Sequence, residues 1–157
     1  GTTLVYDIFS GVESSLPEYL SRVGDSVFFR ARDAVTGNEL WISDGTQNGT
    51  HQVMDIFPGP DDSNPWNLTD TDGRLFFTAD DGVNGRELWV SDGTEANTYM
   101  VKDIRSSTIY AGYRYFTNVG GILYFTVNDG VHGPEIWKSD GTESGTTLVK
   151  DISPVWN

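Results

Sequence analysis

Cysteine is absent from the 157 residues, which excludes disulfides, thiol nucleophiles and thiolate metal sites. Basic side chains are scarce, with 10 Lys and Arg against 23 Asp and Glu and a formal charge of −13. A field of that sign repels phosphate backbones and anionic bilayers, so nucleic acid is not an expected partner. No apolar run approaches the roughly 20 residues of a spanning helix, and membrane insertion is not expected either. Helical periodicity is missing along the whole chain. Histidine occurs only as His51 and His132, which fall at different places in the pattern described below. Neither has a partner that would make a catalytic triad or metal cluster, and no catalytic residue is assigned. The opening "GTTLVYDI" already lies inside that pattern, so the sequence before Gly1 is expected to have been removed or omitted.

What is present is one phrase written three times. "ELWISDGTQNGTHQVMDI", "ELWVSDGTEANTYMVKDI" and "EIWKSDGTESGTTLVKDI" follow one another at steps of 48 residues without insertion or deletion. Repeats of that period mean stacked supersecondary units. They run over 3–50, 51–98 and 99–146, and a fourth begins at 147–157. Each holds short apolar runs bounded by turn residues, such as "LFFTADD", "ELWVS" and "TYMVKDI", with a further segment near "WNLTDT". Phe28, Phe76 and Tyr124 fall on one face of the central run, and Phe29, Phe77 and Phe125 on the other. Apolar groups on both faces imply a strand covered on both sides. The expected fold is all-β, with β-propeller-type blades of four antiparallel strands. "GTTLVYDIF" at the start and "GTTLVKDIS" at the end are the same strand, so the repeats carry a redundant end strand. Three blades are too few for a ring of the usual four to eight. The expected partners are therefore flanking repeats of a longer chain, or other copies of itself in a homo-oligomer or polymer.

"DGVNGRELWVSDGTEANTYMVKDI" closely resembles the ELWxxDGT repeat family of bacterial proteins, and all three units match nearly over their full length. The resemblance implies an extracellular or cell-surface setting and leaves activity open. Departures are small: Asn97 stands where the other units have Gly49 and Gly145, and Ile136 replaces the Leu of "ELW". "SDGTxxGT" also looks like the Asp-box turn of sialidase-type propellers. Asp44, Asp92 and Asp140 suit that turn by accepting backbone N–H groups, with sugar or metal contact as the alternative role.

Trp41, Trp89 and Trp137 recur in register and read either as packing between blades or as a repeated sugar platform. The acid pairs Asp33/Glu39, Asp81/Glu87 and Asp129/Glu135 flank glycine-bearing loops and are candidate Ca2+ ligands, joined in the second unit by Asp70 and Asp72. Ordinary turn acids are the other reading. The connection between units varies: "SSLPEYL", "DSNPWNL" and "YAGYRYF". Its Trp66, Tyr110, Tyr113, Arg114 and Tyr115 form a mixture favoured at recognition surfaces, or they cap the blades. Asn48 and Asn67 match the N-glycosylation pattern, and Asn48 lies in the more exposed turn.

The expected function is a non-enzymatic extracellular scaffold for adhesion or self-assembly, forming fibres or completing rings. The alternative is a lectin-like carbohydrate-binding module that contacts glycans through loop aromatics. A propeller glycoside hydrolase or lyase fragment stands third, with no carboxylate pair singled out.

Overall fold

A computed structural model describes residues 1–106 and 110–152. It consists of three four-stranded antiparallel sheets with no crossover. The first sheet comprises β1 (Glu18–Val23), β2 (Ser26–Arg32), β3 (Asn38–Ser43) and β4 (His51–Met54). The second comprises β5 (Trp66–Thr71), β6 (Arg74–Asp80), β7 (Arg86–Ser91) and β8 (Tyr99–Lys102). The third comprises β9 (Arg114–Val119), β10 (Ile122–Asn128), β11 (Pro134–Ser139) and β12 (Thr147–Lys150). One 3-10 turn, Glu95–Asn97, interrupts the pattern among the described residues. No helix there is long and apolar enough to cross a membrane.

The second strands are rich in aromatic and β-branched residues, which favour the pleated conformation, and two-residue turns join them to the first strands. Asp72 and Gly73 turn β5 into β6 with φ of 50° and 84°, the doubly left-handed geometry that matches strand twist. Each sheet takes as its last strand the segment that opens the next 48-residue window, so the sheets are offset from the repeat boundaries. Residues 1–6, the counterpart of that strand, form no strand, and among the described residues no third strand pairs with them. At the other end, the counterpart strand is β12, which completes the third sheet, and residues 153–157 lie outside those described.

The sheets stack face to face. Phe28, Leu40, Val53 and Ile56 of the first meet Leu75, Phe77, Ala79 and Trp89 of the second. One repeat on, Phe76, Leu88, Val101 and Ile104 meet Leu123, Phe125, Val127 and Trp137. β1 lies beside β5 and β5 beside β9, so the first strands gather along one inner edge. Burial follows from this order. In β6 every residue from Leu75 to Ala79 is buried, whereas β11 alternates strictly between exposed and buried. The middle sheet is covered on both faces and the third on one.

Replacing Phe76 by alanine should therefore cost about 3–5 kcal/mol. Tyr124→Ala, at the same repeat position on the uncovered face, should cost roughly 1 kcal/mol at dilute concentration. Urea denaturation of both variants measures the difference.

Candidate functional site

Each "SDGT" turn is closed by its own side chains. Asp44 Oδ1 accepts the Thr46 N–H at 2.8 Å and the Thr46 hydroxyl at 2.7 Å. Asp92 with Thr94 and Asp140 with Thr142 repeat the arrangement. These bonds hold the three carboxyls below their usual range, the threonine hydroxyl contributing most. Beneath each turn a buried Ser–Thr hydroxyl pair sits at 2.7 Å, as Ser43 with Thr50. A Cβ on Gly49 would stand 2.0 Å from Asp44 Oδ1. At Asn97 the 3-10 turn makes room, and the Asn97 amide donates to Asp92 Oδ2 at 2.8 Å.

The acids of each candidate Ca2+ pair have separate tasks. Asp33 Oδ1 accepts the N–H groups of Val35 and Thr36 at 2.8 Å, and Asp81 and Asp129 hold their own loops alike. Their backbone bonds outweigh partial burial and keep these carboxyls low. Asp70 accepts the Gly73 N–H of the hairpin turn. The glutamates point inward instead. Glu39 accepts from Ile56 N at 3.0 Å, Ser63 N at 3.0 Å and Ser63 Oγ at 2.6 Å. Glu87 accepts from Ile104 N at 3.0 Å and from the Tyr113 hydroxyl at 2.6 Å. Glu135 accepts from Ile152 N at 3.3 Å. Each ties its own third strand to the connection leaving its sheet. Among the described residues no three His, Cys, Asp or Glu are grouped to hold a metal ion.

Trp41, Trp89 and Trp137 are buried, each on the face that looks back toward the preceding repeat. Sugar stacking on these rings has no room. Tyr113 leaves the expected recognition surface for the same reason: it is 1% exposed, stacked on Phe125 and bonded to Glu87. Asn67, half-buried in β5, directs its amide toward Thr78 and Tyr113, whereas Asn48 is exposed in its turn.

Trp66, Tyr110, Arg114 and Tyr115 do reach solvent, along the inner edge. Here each first strand is irregular. Tyr19, Asn67 and Tyr115, equivalent by repeat, all have φ of 56–58°, and the register of β1, β5 and β9 shifts beside them. Non-glycine residues avoid that region, and bulges of this kind re-aim side chains at sheet edges. The Tyr19 and Trp66 rings stack at 5.0 Å, with the Arg30 guanidinium 4.7 Å from the Tyr19 ring. Beside Trp66 lies a cleft of about 280 Å3 formed with Thr78, Arg86 and Tyr110. Sequence reasoning missed Tyr19 and Arg86. Their signal was in the repeat alignment, since Tyr19 pairs with Asn67 and Tyr115, and Arg86 with Asn38 and Pro134.

Compared with protein-family models, with curated proteins and with solved structures, the chain matches none.

The buried glutamates make stability depend on pH. Burial disfavours the charged form more strongly than the donors favour it, and raises both Glu39 and Glu87 from 4.5 to about 7. The folded protein thus holds protons that the unfolded chain has released, and stability falls as pH rises from about 4.5 to about 7. The loss is up to roughly 3 kcal/mol for each carboxyl. The loop aspartates act oppositely, and their contribution is lost as pH falls below about 3.8. Denaturant titrations at pH 4.5, 5.5 and 7 should show the decline, and Glu39→Gln should remove about half of it.

Proposed function

We propose that the chain is a non-enzymatic repeat scaffold, extracellular or on the cell surface, whose sheets are propeller-type blades that add to one another through one recurring interface. The observation that carries this reading is that the interface is present twice and begun twice more. Ile136 is 41% exposed where its counterpart Leu88 is 0% exposed. Val149 and Ile152 are likewise open where Val101 and Ile104 are buried. At the opposite end Phe29, Ala31 and Trp41 are buried not by a neighbouring sheet, as Phe77, Ala79 and Trp89 are, but beneath the segment before β1, from which Ile8 packs on them. A groove of about 330 Å3 runs between that face and residues 3–8.

The two end faces differ, so copies would join head to tail, giving rings where the rotation closes and filaments where it does not. The gathering of β1, β5 and β9 at one edge supports a blade arrangement around an axis. The resemblance to ELWxxDGT repeats accords with the same reading. Lys138 stands on the open face where the covered faces have Ile42 and Val90, which makes added contacts weaker than the internal ones. Flanking repeats of the same kind would occupy these faces equally well.

Light scattering between about 1 and 200 μM, a span that brackets a micromolar association, should show mass rising with concentration. Ile136→Asp should hold the protein monomeric with an unchanged melting temperature. A wild-type chain that stays monomeric throughout would overturn stacking between copies.

A further inference from the structure

The first two repeats treat one position of the inner edge in opposite ways. In the first sheet Arg30 is paired with Glu18 and also bonds Asn64 Oδ1 at 3.3 Å. Asn38 donates its N–H to Asp62 at 2.7 Å. The position supplies its own carboxylates. In the second sheet both acids become aromatic, since Trp66 replaces Glu18 and Tyr110 replaces Asp62. The cation moves across the strand pair, with Thr78 for Arg30 and Arg86 for Asn38.

Arg86 is therefore a half-buried guanidinium with no carboxylate within 4.0 Å among the described residues. Asp80 lies opposite it in register and attracts it from beyond contact distance, while its Oδ1 accepts the Gly82 N–H at 2.8 Å. Nη1 of Arg86 donates to Asn64 O at 2.7 Å, with longer contacts to Thr78 O and Oγ1. These fix the plane of the group and leave its Nε–Nη2 edge without a protein acceptor among the described residues. That edge has the geometry for a bidentate bond to a carboxylate.

Beside it stand two aromatic walls, Trp66 at 48% and Tyr110 at 55% exposure. The Trp66 ring is held in place from behind by the Tyr19 and Arg30 stack, so little side-chain freedom is lost when a ligand arrives. The Tyr110 hydroxyl donates to Tyr113 O at 3.3 Å, which restrains the second wall. A cleft of about 280 Å3 fits one sugar ring, at the small end of ligand pockets.

We propose that this cleft binds a uronate, a pyranose carrying a carboxylate, with the ring on Trp66 and the carboxylate on the free edge of Arg86. The ligand supplies the acid that Glu18 supplies in the first repeat. The formal charge of −13 opposes a long polyanion at a distance, but at physiological salt that field is screened over about 8 Å. A short oligouronide is accordingly the right probe. The site stands at the inner edge of one sheet and does not depend on stacking between copies.

Calorimetry of the whole chain with a galacturonic acid trimer tests the assignment, alongside the fully methyl-esterified trimer and a glutamate tripeptide. Saturable binding of the acid is expected, with the ester at least about tenfold weaker, as loss of a charge-assisted bond implies. Arg86→Met and Trp66→Ala should each weaken the acid by about the same factor. Because Arg86 also supports the backbone, the acid-against-ester comparison on the unaltered chain stands even if a variant fails to fold. Equal binding of acid and ester would overturn the proposal, as would tighter binding of the peptide, or no binding of the acid trimer.

Discussion

Every sheet in this protein has two apolar faces, and no single sheet can cover either of them alone. That constraint sets everything else. Phe76 and Phe77 are neighbours in β6 and point to opposite sides, one into each inter-sheet core. Burying both requires a sheet on either side, which the middle sheet has and the third does not. The first strands follow, because stacking the sheets face to face brings β1, β5 and β9 together.

The stack is also held by polar groups that a hydrophobic count overlooks. Glu39 and Glu87 reach from a third strand to the backbone of the connection leaving their sheet. The bonds are directional where apolar contact is not, and so they set where the next sheet starts. The two cases are solved differently. Ser63 supplies the hydroxyl for Glu39, but Ala111 stands at its counterpart and Tyr113 supplies it for Glu87 from two residues on. A variable connection can thus change its chemistry while keeping the same anchor.

Variation on a fixed frame is what distinguishes the repeats at this edge. The backbone of β1 and β5 is irregular at the same place, with Tyr19 and Asn67 both left-handed. On that shared geometry one repeat carries Glu18 and Arg30, the other Trp66 and Arg86. The first position is closed by an internal ion pair and the second is left open between aromatic rings. Against a formal charge of −13 Arg86 is a local exception beside the paired Arg30, and salt limits the reach of its field to about 8 Å.

The sequence by itself determined the all-β class, the four strands per unit and the apolar two-sided pattern that β6 realises and β10 does not, because period and alternation are local properties of the chain. It also placed the aspartate turns, whose partners lie within five residues. It did not separate the glutamates from the loop aspartates, although Glu39 and Asp33 sit six positions apart. Only the fold turns one toward its own loop and the other toward residues 17 and 24 positions away. Tyr113 and Tyr110 read alike in one short segment, yet one is core and the other wall. Tertiary structure decided these assignments because burial and pairing across sheets depend on which face meets a neighbour, and that is not written in the spacing of any single repeat.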